Sequence, residues 1–232
     1  MVGGETTSNL LDPTHVKLDG KDGFDVTKCN NGNGKNFGER KYAVGDFIDN
    51  HFVICGGKGH KYGDRKHCDV FGDSGSKTID LQEKGRNLAS YVKLNESVLW
   101  ITGGKDKDWS YLSSTELITL DGSIKGIELP MTFYAHCMVM YKPGKMIIIG
   151  GKQGYHSGSD KTWIVSVEDG FNLTAGPTLN TGRSFHSCGK LKDEYGNVLI
   201  MVAGGLTNTV EYLNASTMEN WVYGKTLCNS KS

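Results

Sequence analysis

The chain has 232 residues, 26 basic and 26 acidic, so its formal net charge is zero. Such a balance sets up no broad field to draw in nucleic acid or an anionic membrane surface. No apolar run approaches the ~20 residues of a membrane-spanning helix, so neither nucleic acid nor a membrane span is expected. None of the six cysteines stands in a C-x-x-C pair, which argues against zinc and thioredoxin-like chemistry.

The chain opens on Met1-Val2-Gly3-Gly4, and a short apolar run closed by two glycines then returns four times. The copies are Phe52-Val53-Ile54-Cys55-Gly56-Gly57, Leu99-Trp100-Ile101-Thr102-Gly103-Gly104, Met146-Ile147-Ile148-Ile149-Gly150-Gly151 and Leu199-Ile200-Met201-Val202-Ala203-Gly204-Gly205. The first glycines of the doublets are 47 to 54 residues apart, a period that marks a repeat architecture. Each run reads as a strand buried on both faces. Two glycines at its end permit positive φ and let a neighbouring backbone come close where a Cβ would block it.

Within each period four strand signals follow one another, here named a, b, c and d. In the unit that starts near Tyr134 they cover residues 134–141, 145–151, 162–167 and 171–175. Pro143-Gly144 turns a into b and Asp169-Gly170 turns c into d; Asp-Gly between strand-like runs is a strong hairpin signal, because both turn residues need positive φ. Asp19-Gly20 and Asp121-Gly122 repeat it in place. The pattern predicts one domain over 1–232, with a partial unit at 1–39 and four-stranded antiparallel units over about 40–85, 86–131, 132–182 and 183–228. The start falls inside a repeat and lacks the basic flank and apolar core of a signal peptide, so the chain is expected to be a fragment of a longer array.

Arg40, Arg86 and Arg183 each stand just before strand a, and Thr132 is read as the departure in the remaining unit. These arginines are expected to anchor loops between units. The last unit adds Val210-Glu211-Tyr212 on strand c and Trp221 after it. The glycine doublet, the arginine before strand a and this Val-Glu-x-Tyr/Trp pattern together resemble the kelch family. The resemblance spans nearly the whole chain and implies an all-β fold, a β-propeller with one repeat per blade. The Gly-His and Trp-Asp markers of WD40 repeats are absent at the matching places.

Cys55 closes strand b and Cys68 opens strand c of one unit, so the two are expected side by side as a disulfide with Cα atoms within roughly 7 Å. Cys137 and Cys188 hold matching places on the first strands of adjacent units and form a second candidate pair; Cys29 and Cys228 stay unassigned.

Antiparallel order sends the a-b and c-d turns to one rim and the b-c loops and d-a crossovers to the other. The three N-x-S/T sequons, at Asn95, Asn172 and Asn214, all fall on the first rim and are expected to carry glycans. That leaves the second rim for recognition. Its b-c loops carry His60, Tyr62, Arg65, Trp109, Tyr111, Tyr155 and His156, residue types suited to a protein or carbohydrate partner. His60 and His67 with Asp64 offer only a weak metal pattern, and no nucleophile elbow, phosphate loop or H-E-x-x-H appears; neither catalytic residue, metal nor cofactor is assigned. The favoured reading is a non-enzymatic extracellular binding module. The resemblance leaves two alternatives: a secreted sugar-acting enzyme of the galactose-oxidase or mutarotase kind, and a cytosolic kelch adaptor without its BTB domain.

Overall fold

The structure, a computed structural model, describes residues 40–59, 63–72, 75–153, 157–205 and 207–227. Cys29, Cys228, His60, Tyr62, Tyr155 and His156 lie outside them, as does the 1–39 unit.

The described residues build four antiparallel four-stranded sheets, each from consecutive strands. The first takes β1 (Val44–Ile48), β2 (His51–Cys55), β5 (His67–Gly72) and β6 (Gly75–Asp80), with a small hairpin of β3 (Lys58–Gly59) and β4 (Gly63–Asp64) in its b-c loop. The second takes β7 (Ser90–Asn95), β8 (Val98–Thr102), β9 (Ser114–Thr119) and β10 (Gly122–Glu128). The third takes β11 (Cys137–Lys142), β12 (Lys145–Ile149), β13 (Thr162–Ser166) and β14 (Asn172–Ala175). The fourth takes β15 (His186–Lys192), β16 (Val198–Gly204), β17 (Val210–Asn214) and β18 (Val222–Tyr223). No helix is long and apolar enough to cross a membrane among the described residues.

The apolar b strands follow from sheets stacked face on face. In β8, Leu99 and Ile101 join Val53, Cys55 and Val70 of the first sheet, while Trp100 between them joins Met146 and Ile148 of the third. In β12, Ile147 and Ile149 pack instead with Ile200 and Val202 of the fourth. A strand with neighbours on both faces has no polar side to show, and Met146, Ile147, Ile148 and Ile149 are all fully buried. The first strands β1, β7, β11 and β15 lie in succession, giving an all-β, propeller-like arrangement.

The glycine doublets are the points where one sheet holds the chain on its way into the next. Gly57, Gly104 and Gly151 donate their backbone N–H to the carbonyls of Arg86, Phe133 and Arg183 at 2.8, 2.7 and 2.9 Å. Gly103, at φ +59°, comes so near that a Cβ would lie 2.2 Å from the Phe133 carbonyl oxygen. The same bonds fix the alignment of the units: the residue matching Arg86 in the third sheet is Phe133, one place beyond the Thr132 expected from sequence. Thr132 was misplaced because spacing alone does not fix a register that these inter-sheet bonds set.

Each arginine pairs with an acid on the third strand of its own sheet. Arg40 binds Asp69, Arg86 binds Glu116 at 2.8 Å and Arg183 binds Glu211 at 2.5 Å. Arg86 also donates to the carbonyls of Gly103 and Ser114 at 3.0 and 2.9 Å, tying down both ends of the b-c loop. The glutamates also accept hydrogen bonds from the incoming crossover. Glu116 accepts from the Gln82 N–H at 2.8 Å, and Glu211 from those of Asn180 and Thr181 at 2.7 and 3.1 Å. These charges are consumed by the scaffold.

Two disulfides are present among the described residues, with the pairings expected from sequence. Cys55 and Cys68 face each other across β2 and β5, their Cα atoms 3.9 Å apart. Cys137 and Cys188 join β11 to β15 with Cα atoms 6.0 Å apart, cross-linking adjacent sheets. Disulfides fit an oxidising compartment better than a reducing one.

Candidate ligand-binding rim

At the start of every first strand one residue takes the left-handed conformation: Tyr42, Leu88, Ala135 and Phe185, with φ of 60°, 55°, 51° and 57°. Side chains other than glycine take that region at a cost, and here it turns the peptide groups toward the neighbouring sheets. Leu88 donates its N–H to the carbonyl of Tyr42 at 3.2 Å, Ala135 to Leu88 at 2.8 Å and Phe185 to Ala135 at 3.0 Å. This backbone staircase joins all four sheets on the rim of the b-c loops and crossovers.

Above it opens a cavity of about 360 Å³, lined by Tyr42, Leu88 and Phe185 from the staircase and by the 105–111 loop, Lys41, Lys58, Asn87 and Tyr134. Every lining residue belongs to a b-c loop or a d-a crossover. The volume is at the lower end of small-molecule sites.

Asp106 shapes the loop. One carboxylate oxygen accepts from the N–H groups of Asp108 and Ser110 at 3.0 and 2.9 Å, and the other accepts from Lys84 at 2.9 Å. Burial pushes this carboxyl up, but Lys84 and the two N–H groups outweigh it and hold the group below the ordinary aspartate range. The tight turn puts Trp109 at φ 65° and leaves its side chain 59% exposed over the cavity. Beside it Tyr111 stacks on Tyr134, ring centroids 4.8 Å apart and planes 12° off parallel.

Lysines fill the space between the rings. The Lys105 ammonium lies 3.7 Å from the Trp109 centroid, 5.3 Å from that of Tyr134 and 5.8 Å from that of Tyr111, while Lys58 approaches Trp109 at 5.1 Å. These are cation–π distances. Lys152 stands 5.8 Å from Phe185. The result is a cup with aromatic walls and ammonium groups among them.

Of the residues expected on this rim, the structure brings Trp109 and Tyr111 into the cup. Arg65 is outside the lining, its N–H bonded to the Gly57 carbonyl at 2.9 Å. His60, Tyr62, Tyr155 and His156 fall outside the described residues. The sequon asparagines sit at strand ends beside the turns of the other rim: Asn95 and Asn214 close β7 and β17 and accept from the N–H of Ser97 and Ser216 at 2.9 and 2.8 Å, and Asn172 is exposed at the start of β14.

Sequence reasoning missed Lys41, Tyr42, Lys58, Lys105, Tyr134 and Phe185. A signal for the lysines was present: the residue after the doublet is Lys58, Lys105 and Lys152 in three consecutive units. Each pairs as a β-bridge with the residue before the staircase position, namely Lys41, Asn87 and Tyr134, so one repeat position delivers an ammonium group to one rim three times.

Deeper in, His136 and His186 hold matching places at the heads of β11 and β15. His136 shares a hydrogen bond of 2.9 Å with the Thr102 hydroxyl. Burial and then His186 push the pKa of His136 down to about 3; burial and then Arg183 push that of His186 down to about 4. Both are neutral at neutral pH; His136 is buried and His186 is half-buried.

No protein-family model matches the sequence, and no curated protein matches it. Among solved structures the chain is similar to one described as "Structure of YjhT", with a TM-score of 0.69 over 82% of this chain and 71% of that chain. Identity over that match is 12%, so the likeness is one of fold alone.

Proposed function

We propose that this chain is a kelch-type β-propeller unit of a secreted, non-enzymatic binding protein that takes a protein or carbohydrate ligand on its b-c loop rim. The observation that carries this reading is the cup: exposed Trp109 and the stacked Tyr111–Tyr134 pair converge over a backbone staircase shared by four sheets. Aromatic side chains supply a large contact area at a small entropic cost, and a floor hydrogen-bonded across every sheet keeps them in place before the ligand arrives. Two disulfides favour an extracellular setting, and glycans on Asn95, Asn172 and Asn214 would shield the other rim.

The test is a binding screen of the purified protein on immobilised glycans and on purified extracellular domains. Saturable binding is expected, weakened by ~1 to 4 kcal/mol in Trp109→Ala if that ring is a hot spot, with the melting temperature unchanged because Trp109 lies in no strand. Binding indifferent to Trp109→Ala and Tyr111→Ala contradicts the reading.

A further inference from the structure

Resting on the reading of this rim as the binding face, we infer that the cup takes a short saccharide, one pyranose ring of which lies flat on the open face of Trp109. The loop is built to hold that indole outward. It closes on itself through the bond from the Asp106 N–H to the Ser110 carbonyl at 3.0 Å and that from the Trp109 N–H to the Asp106 carbonyl at 3.1 Å. The Asp106 carboxylate bonds to Asp108 and Ser110 add to this. Within the loop Trp109 takes φ 65°, a conformation that costs a bulky residue free energy, and its side chain is left 59% exposed. Backbone strain and an exposed apolar ring at one residue mark a side chain kept for a ligand rather than for the core.

The ring faces decide the shape of the ligand. The Lys105 ammonium lies 3.7 Å from the Trp109 centroid and Lys105 is itself buried, so one face of the indole rests on the protein and the other is the exposed one. Tyr111 and Tyr134 turn one face each to the other. Trp109 thus offers a flat apolar plane fixed from behind, and two more exposed rings, Tyr42 and Phe185, stand on the same cavity from the first and fourth units. The border of the plane is polar. Lys58, Asn87 and Asp106 line the cavity with it, the Lys58 ammonium 5.1 Å from the indole centroid. A pyranose fits both parts: its C–H groups project from the flat faces of the ring, while its hydroxyls spread around the edge, where ammonium, amide and carboxylate groups donate to them and accept from them. An aliphatic side chain of a protein partner would cover the plane but bring nothing to that border. A cavity of about 360 Å³ is of small-molecule size. The match is one of shape and hydrogen-bonding type, not of charge.

The probes are uncharged saccharides: glucose, galactose, mannose, N-acetylglucosamine, cellobiose, lactose and chitobiose. The Trp109 indole N–H resonance of the full chain, assigned through Trp109→Phe, reports the contact. Saturation transfer to the sugar C–H protons reports which face stacks and gives the affinity in variants that lack the indole. At least one of these saccharides is expected to shift the resonance saturably, with transfer strongest at the C–H protons of one ring face and affinity unchanged as salt rises. Trp109→Leu keeps an apolar side chain without a plane and should weaken that saccharide about tenfold or more, whereas Trp109→Phe keeps a smaller plane and should lose less. Both should melt where the parent does, because Trp109 lies in no strand. Trp109→Leu binding as tightly as Trp109→Phe, or transfer spread evenly over both faces of the sugar, overturns the stacking. No probe saccharide moving the Trp109 signal overturns the carbohydrate assignment; if the protein then binds a purified extracellular domain through Trp109, the partner is a protein and the rim stands. A screen that finds neither class defeats the rim itself.

Discussion

Arg86 and Glu116 meet at 2.8 Å with both side chains out of water, whereas the next sheet has Phe133 and Trp163 in the same two places. The correspondence follows from register: Ile101 faces Glu116 and Ile148 faces Trp163, each one residue short of the end of its b strand. Both partners changed together, and Phe133 and Trp163 belong to the apolar cluster around Trp100. Two sheets of one fold thus carry a buried ion pair or two aromatic side chains at the same two places.

Removing one partner of the pair leaves a buried, uncompensated charge, which costs ~3 to 5 kcal/mol. Arg86→Phe alone and Glu116→Trp alone are expected to lower the urea midpoint by that order. The double variant should lose less than the sum of the two, because it removes both charges together and places there the residue types that the third sheet carries. A double-mutant cycle measures this coupling; strict additivity contradicts the account.

The two disulfides close loops of very different length, with sequence separations of 13 and 51. On the chain-entropy argument, replacing Cys55 and Cys68 by serine costs ~3 kcal/mol and replacing Cys137 and Cys188 costs ~4 kcal/mol. The second cross-link should thus matter more, since it also holds two sheets together. Non-reducing peptide mapping gives the connectivity, and unfolding midpoints of the two double variants give the order of cost.

Stability should fall on mild acidification. An unfolded histidine takes up a proton near pH 6.5, but His136 stays neutral in the fold until about pH 3. Below pH 6.5 the unfolded chain therefore binds a proton that the folded chain refuses, and each pH unit removes ~1.4 kcal/mol until the folded pKa is reached. From pH 7 to pH 5 this amounts to ~2 kcal/mol from His136, with His186 adding in the same direction. Denaturant midpoints at the two pH values measure it, and His136→Gln should flatten the dependence.

The b strands and their glycines were legible in the sequence because both obey local rules: a strand covered on two faces must be apolar throughout, and a backbone-to-backbone contact excludes a Cβ. The Cys55–Cys68 pair was legible because the bridge joins two strands whose pairing the repeat already implied. Phe133 was not, since its place is fixed by a hydrogen bond from Gly104 in the preceding unit. Most of the cup was hidden for a similar reason. Lys58, Lys105, Tyr134 and Phe185 come from four different units, and only the staircase of Tyr42, Leu88, Ala135 and Phe185 brings them together. That staircase rests on non-glycine residues at positive φ, a conformation that the residue types do not announce.

The central claim is that ligand is bound on the lysine and aromatic rim. Amide hydrogen exchange of the protein, alone and saturated with the tightest ligand from the screen, tests it most directly. The account predicts slower exchange in the 103–111 loop and at Leu88 and Phe185, with no change in the turns at 49–50 and 95–97 on the opposite rim. Protection confined to those turns, with the 103–111 loop exchanging as before, would contradict it.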